Sequence, residues 1–215
     1  MDRVLRIDSI SIDSVVHVVD DDPQILQGVA RLLRASGYFV RTHLSARSLL
    51  DEPDIDVPGC IILDVSMPEL SGLDVQAELS RSDKQRPIVF ITGLNDARIG
   101  VTAMKAGAID FLMKPFDESE LLGAVRTAIN KDRVQRDTRA QSEQLQKRLA
   151  TLTKRELEVM LNVVAGHLNK QIAAELGIAE KTVKVHRQRV MEKMQAASLA
   201  ELVRLTYQAE TASTH

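Results

Sequence analysis

Asp20, Asp21, Asp64, Thr92 and Lys114 each stand just past a short apolar run, the runs being Val15 to Val19, Cys60 to Leu63, Ile88 to Ile91 and Ile109 to Met113. In a chain that alternates strands with helices, the carboxyl ends of parallel strands share one edge, and open sheets of this kind bind ligands there. Three carboxylates, a hydroxyl and an ammonium would meet in one small pocket. Acids gathered that closely repel one another unless a divalent cation neutralises them, and an all-oxygen cluster suits Mg²⁺ or Mn²⁺. The chemistry this set supports is phosphoryl transfer. Attack by a carboxylate on a phosphorus bearing negative oxygens needs positive charge and in-line positioning more than covalent help.

The elements that would position these residues are legible as a repeat. Apolar runs at Val15 to Val19, Phe39 to Thr42, Cys60 to Leu63, Ile88 to Ile91 and Ile109 to Met113 are each followed by an amphipathic stretch. Ile25, Val29, Leu32 and Leu33 fall at helical spacing, and Leu73, Val75, Ala77 and Leu79 do so less cleanly. Strands alternating with helices predict a five-stranded parallel sheet covered on both faces. Gly37, Gly107 and the Pro68 to Gly72 segment supply the breaks. Asp22 reads as the cap of the first helix. Residues 1–14 mix charged and aliphatic types without a period and are expected to form an irregular extension.

The 215 residues, 44% of them hydrophobic, suffice for two modest domains. Charge divides them. Residues 1–130 carry 13 Lys and Arg against 20 Asp and Glu, a net of −7, whereas residues 131–215 carry 15 against 10, a net of +5. The basic half is expected to meet a polyanion. Cys60, the single cysteine, sits in an apolar run and reads as packed rather than reactive. With no apolar stretch of membrane-spanning length and no signal-peptide core, a soluble protein of the reducing cytoplasm is expected, with no membrane partner. Between Asp117 and Ala150 the chain is rich in Arg, Lys, Gln, Glu, Leu and Ala, which predicts one helix spanning on the order of 50 Å. Its would-be coiled-coil seam, Val134, Thr138, Gln141, Leu145, Arg148 and Leu152, is half polar, so self-pairing along it would be weak.

Four segments resemble the receiver domain of bacterial two-component response regulators: VHVVDDD at 16–22, ILDVSMPELSG at 62–72, ITG at 91–93 and KPF at 114–116. Singly each has an ordinary explanation, as a turn, a cap or a surface lysine; in this order they are highly specific. The resemblance implies a flavodoxin-like doubly wound domain over residues 15–130. It makes Asp64 the nucleophile that takes a phosphoryl group from a sensor histidine kinase. Asp21 would ligate Mg²⁺ directly, Asp20 largely through water, and the backbone carbonyl of Ser66 would complete the set with Asp64. Thr92 and Lys114 would sense the phosphate, and Phe111 would be the switch aromatic, although a plain core role for it carries equal weight. Pro115 would hold Lys114 in the pocket through a cis peptide bond. Ser66 and Leu94 flank the position that tunes phosphate lifetime.

In the basic half, Ile172, Ala173, Leu176, Gly177, Ile178 and Val183 carry helix-turn-helix spacing. LTKRELEVM at 152–160, GHLNKQIAAEL at 166–176 and KTVKVHRQRVMEKM at 181–194 resemble the effector domain of the NarL/FixJ regulators, the LuxR type, with a FixJ-like linker. That resemblance implies an all-α, four-helix DNA-binding domain over 151–215, joined to the receiver by a helical linker at 131–150. Its second helix, Glu180 to Met194, would enter the major groove of promoter DNA, with Lys184, Val185 and Gln188 at base edges and Lys170, Lys181, Thr182 and Arg187 at phosphates. His186 reads as packed or phosphate-facing, since no second metal ligand accompanies it. Ala179 departs from the family by lacking a capping side chain. On the last helix, Leu199, Leu202 and Val203 are either core or a dimer contact.

The whole then reads as a phosphorylation-controlled transcription regulator that dimerises when phosphorylated and works with RNA polymerase, not as a metabolic enzyme. Two other readings compete. A phosphatase of the haloacid-dehalogenase type would need a second acid two residues after Asp64, where Ser66 stands. A protein- or RNA-binding module is the third; 3% aromatic content and the absence of Trp argue against single-strand recognition by base stacking.

Overall fold

The structure is a computed structural model describing residues 5–7, 10–52, 57–81, 85–93 and 97–212. Leu94 lies outside the described residues. So does part of the N-terminal extension, but Leu5–Ile7 (β1) and Ile10–Ile12 (β2) pair as antiparallel strands, which corrects the expectation of an irregular start. Each of these strands is only three residues long, too short for a period to register in the sequence.

The main sheet is built from β3 (Val15–Val19), β4 (Phe39–His43), β5 (Gly59–Asp64), β6 (Ile88–Thr92) and β7 (Asp110–Met113). All pairs are parallel, in the order β4-β3-β5-β6-β7, so the chain reverses direction across the sheet between β3 and β5. Helices α1 (Pro23–Ala35), α2 (Ala46–Leu50), α3 (Gly72–Leu79), α4 (Ala97–Lys105) and α5 (Glu118–Ala150) connect and cover it. Alternation along the strands separates the two faces. Val16, Val18, Cys60, Ile62, Val89 and Ile91 pack against α1 and the start of α5, while Val19, Leu63 and Phe90 pack with α2 and α3. The strands β5 and β6 run one residue further than their apolar runs, so Asp64 and Thr92 are the last strand residues rather than the first loop residues. As expected, Asp22 caps α1, its carboxylate accepting from Gln24 N at 2.8 Å.

The chain divides into two compact units, residues 1–136 and 137–215, with the boundary inside the 33-residue helix α5. The second unit adds α6 (Lys154–Val164), α7 (Asn169–Leu176), α8 (Glu180–Met194) and α9 (Leu199–Ala212) around Val159, Val163, Ile172, Val183, Val190, Met194 and Leu202. Leu145 near the end of α5 completes this core. The turn between α7 and α8 closes on Gly177 at φ +65°, a left-handed conformation that glycine adopts without steric cost.

Cations satisfy the carboxyl ends of three helices. Arg148 donates to Met194 O at 3.2 Å, Arg155 to Leu176 O at 3.0 Å and Lys193 to Thr151 O at 2.9 Å. The amino ends are unequal. Thr153 and Glu156 form a reciprocal capping box on α6, but the residues at the cap positions of α7 and α8, Leu168 and Ala179, offer no side-chain acceptor. On α7 only the returning half of a box survives, with Leu168 N donating to Gln171 Oε1 at 2.7 Å.

Candidate functional site

The tips of β3, β5 and β7 converge on one pocket. Asp20, 1% exposed, follows β3 directly, and its Oδ1 accepts from Asp22 N at 2.9 Å. Its Oδ2 accepts from Lys114 Nζ at 2.6 Å, and the same ammonium donates to Asp64 Oδ1 at 3.2 Å. One carboxylate oxygen from each of Asp20, Asp21 and Asp64 lies within 4.8 Å of the others, with Asp21 facing solvent. Burial pushes the Asp64 carboxyl above the ordinary range, and Asp20 adds to the rise while Lys114 opposes it. One ammonium cannot neutralise three acids, so the donor set of Asp20, Asp21 and Asp64 fits a hard divalent cation.

Thr92 is wholly buried at the end of β6, and its carbonyl accepts from Lys114 N at 2.7 Å. Lys114 precedes Pro115 through a cis peptide bond, as the resemblance implied. Phe111 is half-buried; its ring lies 6.5 Å from that of Phe90 and faces Gly100, where an added β-carbon would stand 3.3 Å from the ring. Ser66 is exposed. The structure therefore gathers Asp20, Asp21, Asp64 and Lys114 as a cluster and anchors Thr92 beside them.

Gly72 was missed by the sequence reading. It donates from its N–H to Val65 O at 2.9 Å, and a β-carbon there would meet Asp64 O at 2.5 Å. Its place at the first turn of α3 resembles an ordinary helix start, which concealed it. Asp132 was missed as well. It falls on the apolar stripe of α5 with Val125, Ala128 and Ile129, and a carboxylate on a buried stripe is itself a signal.

On α8, Lys181, Thr182, Lys184, Val185 and Gln188 are exposed, and so is Lys170 on α7. Arg187 is half-buried and donates to Asn169 Oδ1 at 3.3 Å, so it ties α8 to the start of α7. Gln188 reaches Glu192 at 2.9 Å and Lys184 lies 3.7 Å from Glu180, both along the exposed face of the helix. The Nδ1 of His186 is buried, as expected of a packed ring. The dimer candidates separate. Leu199 and Val203 are exposed, but Leu202 is fully buried in the unit's own core, which removes it from any surface contact. Tyr207, 67% exposed, was not foreseen.

A parallel sheet ending in an acid–lysine pocket, and a basic helix-turn-helix carried on the same chain, define a two-domain signalling protein. Residues 16–126 match the family described as response regulator receiver domain, and residues 150–206 match the bacterial regulatory proteins of the luxR family. The chain is 46% identical over 194 residues to the response regulator protein TmoT of Ectopseudomonas mendocina, covering 90% of this chain and 88% of that one. It is 44% identical over 191 residues to the transcriptional regulatory protein FixJ of Azorhizobium caulinodans, covering 88% and 90%. Among solved structures, a low-resolution structure of the response regulator StyR matches with a TM-score of 0.85 at 43% identity, over 91% of this chain and 99% of that one. Full-length FixJ from B. japonicum matches with a TM-score of 0.57 at 36% identity, over 93% and 98%. The chain belongs to the response regulators that join a receiver domain to a LuxR-type DNA-binding domain, and it is a transcriptional regulator rather than a metabolic enzyme. The phosphatase reading is thereby replaced. Among the described residues no helix is long and apolar enough to cross a membrane.

Proposed function

We propose that Asp64 accepts a phosphoryl group from a sensor histidine kinase, and that the phosphorylated protein dimerises on promoter DNA in the cytoplasm and engages RNA polymerase. The observation that carries this reading is the Lys114 ammonium set between Asp20 and Asp64 at the strand tips. A bound Mg²⁺ supplies the charge that lets a carboxylate approach a phosphoryl donor. This chain's own residues do the rest. Asp64 acts as nucleophile through a carboxylate oxygen, and Lys114, 3.2 Å from its Oδ1, donates to an oxygen of the incoming group. On this reading the Thr92 hydroxyl donates to a phosphate on Asp64, and the resulting inward shift leaves room for the ring of Phe111. Asp20, Asp21, Asp64 and the Ser66 carbonyl would hold the metal.

In the basic unit, Lys184, Val185 and Gln188 read base edges while Lys170, Lys181, Thr182 and Arg187 contact phosphates. Exposed Leu199 and Val203 on α9 support a contact between two copies, which would set the spacing of half-sites. The domain limits on this reading are 15–130, 131–150 and 151–215. The test is acetyl phosphate with Mg²⁺: the wild type gains one phosphoryl group, Asp64→Asn gains none, and only the wild type tightens on promoter DNA in a mobility-shift titration. Phosphoryl gain by Asp64→Asn, or equal affinity of both states, overturns the reading.

A further inference from the structure

The acid–lysine pocket has a counterpart at the opposite edge of the sheet that phosphoryl chemistry does not use. Asp132 on α5 has a side chain only 3% exposed. Its Oδ2 accepts from Gly59 N at 2.8 Å and from Arg136 Nε at 2.8 Å, and Arg86 Nη1 lies 3.7 Å away. Arg86 is itself buried and donates to Val57 O at 3.1 Å.

Gly59 opens the strand that Asp64 closes, so these two residues are the ends of one rod of about 17 Å. Flanking amides find ordinary sheet partners, Val15 N on Pro58 O and Ile61 N on Pro87 O. The Gly59 amide instead takes its acceptor from α5, since a buried N–H must be paired. The Arg86 guanidinium and the Val15 carbonyl fill the space in which a β-carbon at residue 59 would stand, so only glycine admits the cluster. Buried ion clusters of this kind are poor sources of net stability; their best-attested service is to fix register. The location is specific too. Arg136 is the last residue of the first compact unit, while α5 runs on without a break to Ala150.

We propose that Asp132 is a positioning residue that clamps α5, where it leaves the receiver, to the first residue of the phosphoacceptor strand at one fixed rotation, and that the phosphoryl state of Asp64 reaches the linker helix through this clamp. The first half stands on the geometry alone; the second rests on the reading of Asp64 as phosphoacceptor. With the clamp intact α5 leaves the receiver as a stiff lever. Without it the base of the helix can rock, and a change at the far end of β5 is no longer passed on.

Spin labels on cysteines introduced at Gln27 and Gln144, both exposed, report the clamp in the full-length protein, and buried Cys60 takes no label. Asp132→Asn and Arg86→Gln should each broaden the distance distribution at least about twofold relative to the labelled wild type. Arg86→Gln removes the ion pair that reaches Asp132 from outside α5 and keeps the test valid should Asp132→Asn fail to fold. An unchanged width in every variant that folds makes the cluster a fold-stabilising pair and overturns the proposal. In the same variants phosphoryl uptake should stay within about twofold of wild type, while the ratio of promoter affinities with and without acetyl phosphate falls toward one. A retained ratio overturns the second half. A wild type that takes up phosphate yet shows a ratio of one refutes the functional reading instead, and the label widths then decide the clamp.

Discussion

Lys114 and Asp20, separated by 94 positions, meet at 2.6 Å because the strands that carry them end on the same edge of a parallel sheet. The same ammonium reaches Asp64 at 3.2 Å, so one cation offsets two buried acids. Removing it by Lys114→Gln should leave two carboxylates repelling each other, at a cost of about 3 kcal/mol without metal. Added Mg²⁺ should then raise the melting temperature more in the variant than in the wild type. Equal Mg²⁺-dependent shifts would contradict the shared-site geometry.

Metal removal gives a second expectation. With EDTA in excess, acetyl phosphate should no longer transfer to Asp64, and Mn²⁺ should restore transfer as Mg²⁺ does, because both accept all-oxygen ligand sets. Intact-mass measurement reads the outcome directly.

Gly72→Ala should destabilise the receiver by about 2 kcal/mol, since its β-carbon would stand 2.5 Å from the Asp64 carbonyl. Phosphoryl uptake should slow as well, because the displaced atom belongs to Asp64, the proposed acceptor. Urea unfolding combined with phosphorylation kinetics separates the two effects.

Glu156 provides a pH test in the basic unit. Its bond to Lys193 at 2.6 Å and the Thr153 amide hold its carboxyl well below the ordinary range, at about 2. A lowered folded value means that the stabilisation is complete above the ordinary value near 4.5 and is lost as pH falls toward 2. Glu156→Gln should cost about 1–3 kcal/mol at pH 7 and flatten the acid limb between those values. Hydrogen exchange in α6 and α8 of the full chain is the measurement.

Restoring the missing caps should stabilise the helix-turn-helix. Ala179→Ser and Leu168→Ser each supply an acceptor where the helix start has none, worth about 0.5–1 kcal/mol apiece. Chemical denaturation of the single and double variants checks both the sign and the additivity.

Much of this was readable from the chain because it depends on local pattern. Apolar runs located β3 to β7, a composition rich in Arg, Lys, Gln, Glu, Leu and Ala located α5, and the strand-end rule brought Asp20, Asp64 and Lys114 together from the sequence. What stayed hidden depends on pairwise approach in space. That Gly59 must lack a side chain results from where Arg86 lies, 27 positions away, and nothing near Gly59 announces it. Leu202 looked interchangeable with Leu199 and Val203, since a stripe along a helix does not say how wide its buried part is.

The unbroken α5 makes any change in its own length an angular quantity as well. Each residue inserted after Arg136 advances the rest of the helix by about 1.5 Å and swings it through about 100°. A single insertion would misdirect everything downstream, whereas seven residues, close to two full turns, would nearly restore the original bearing.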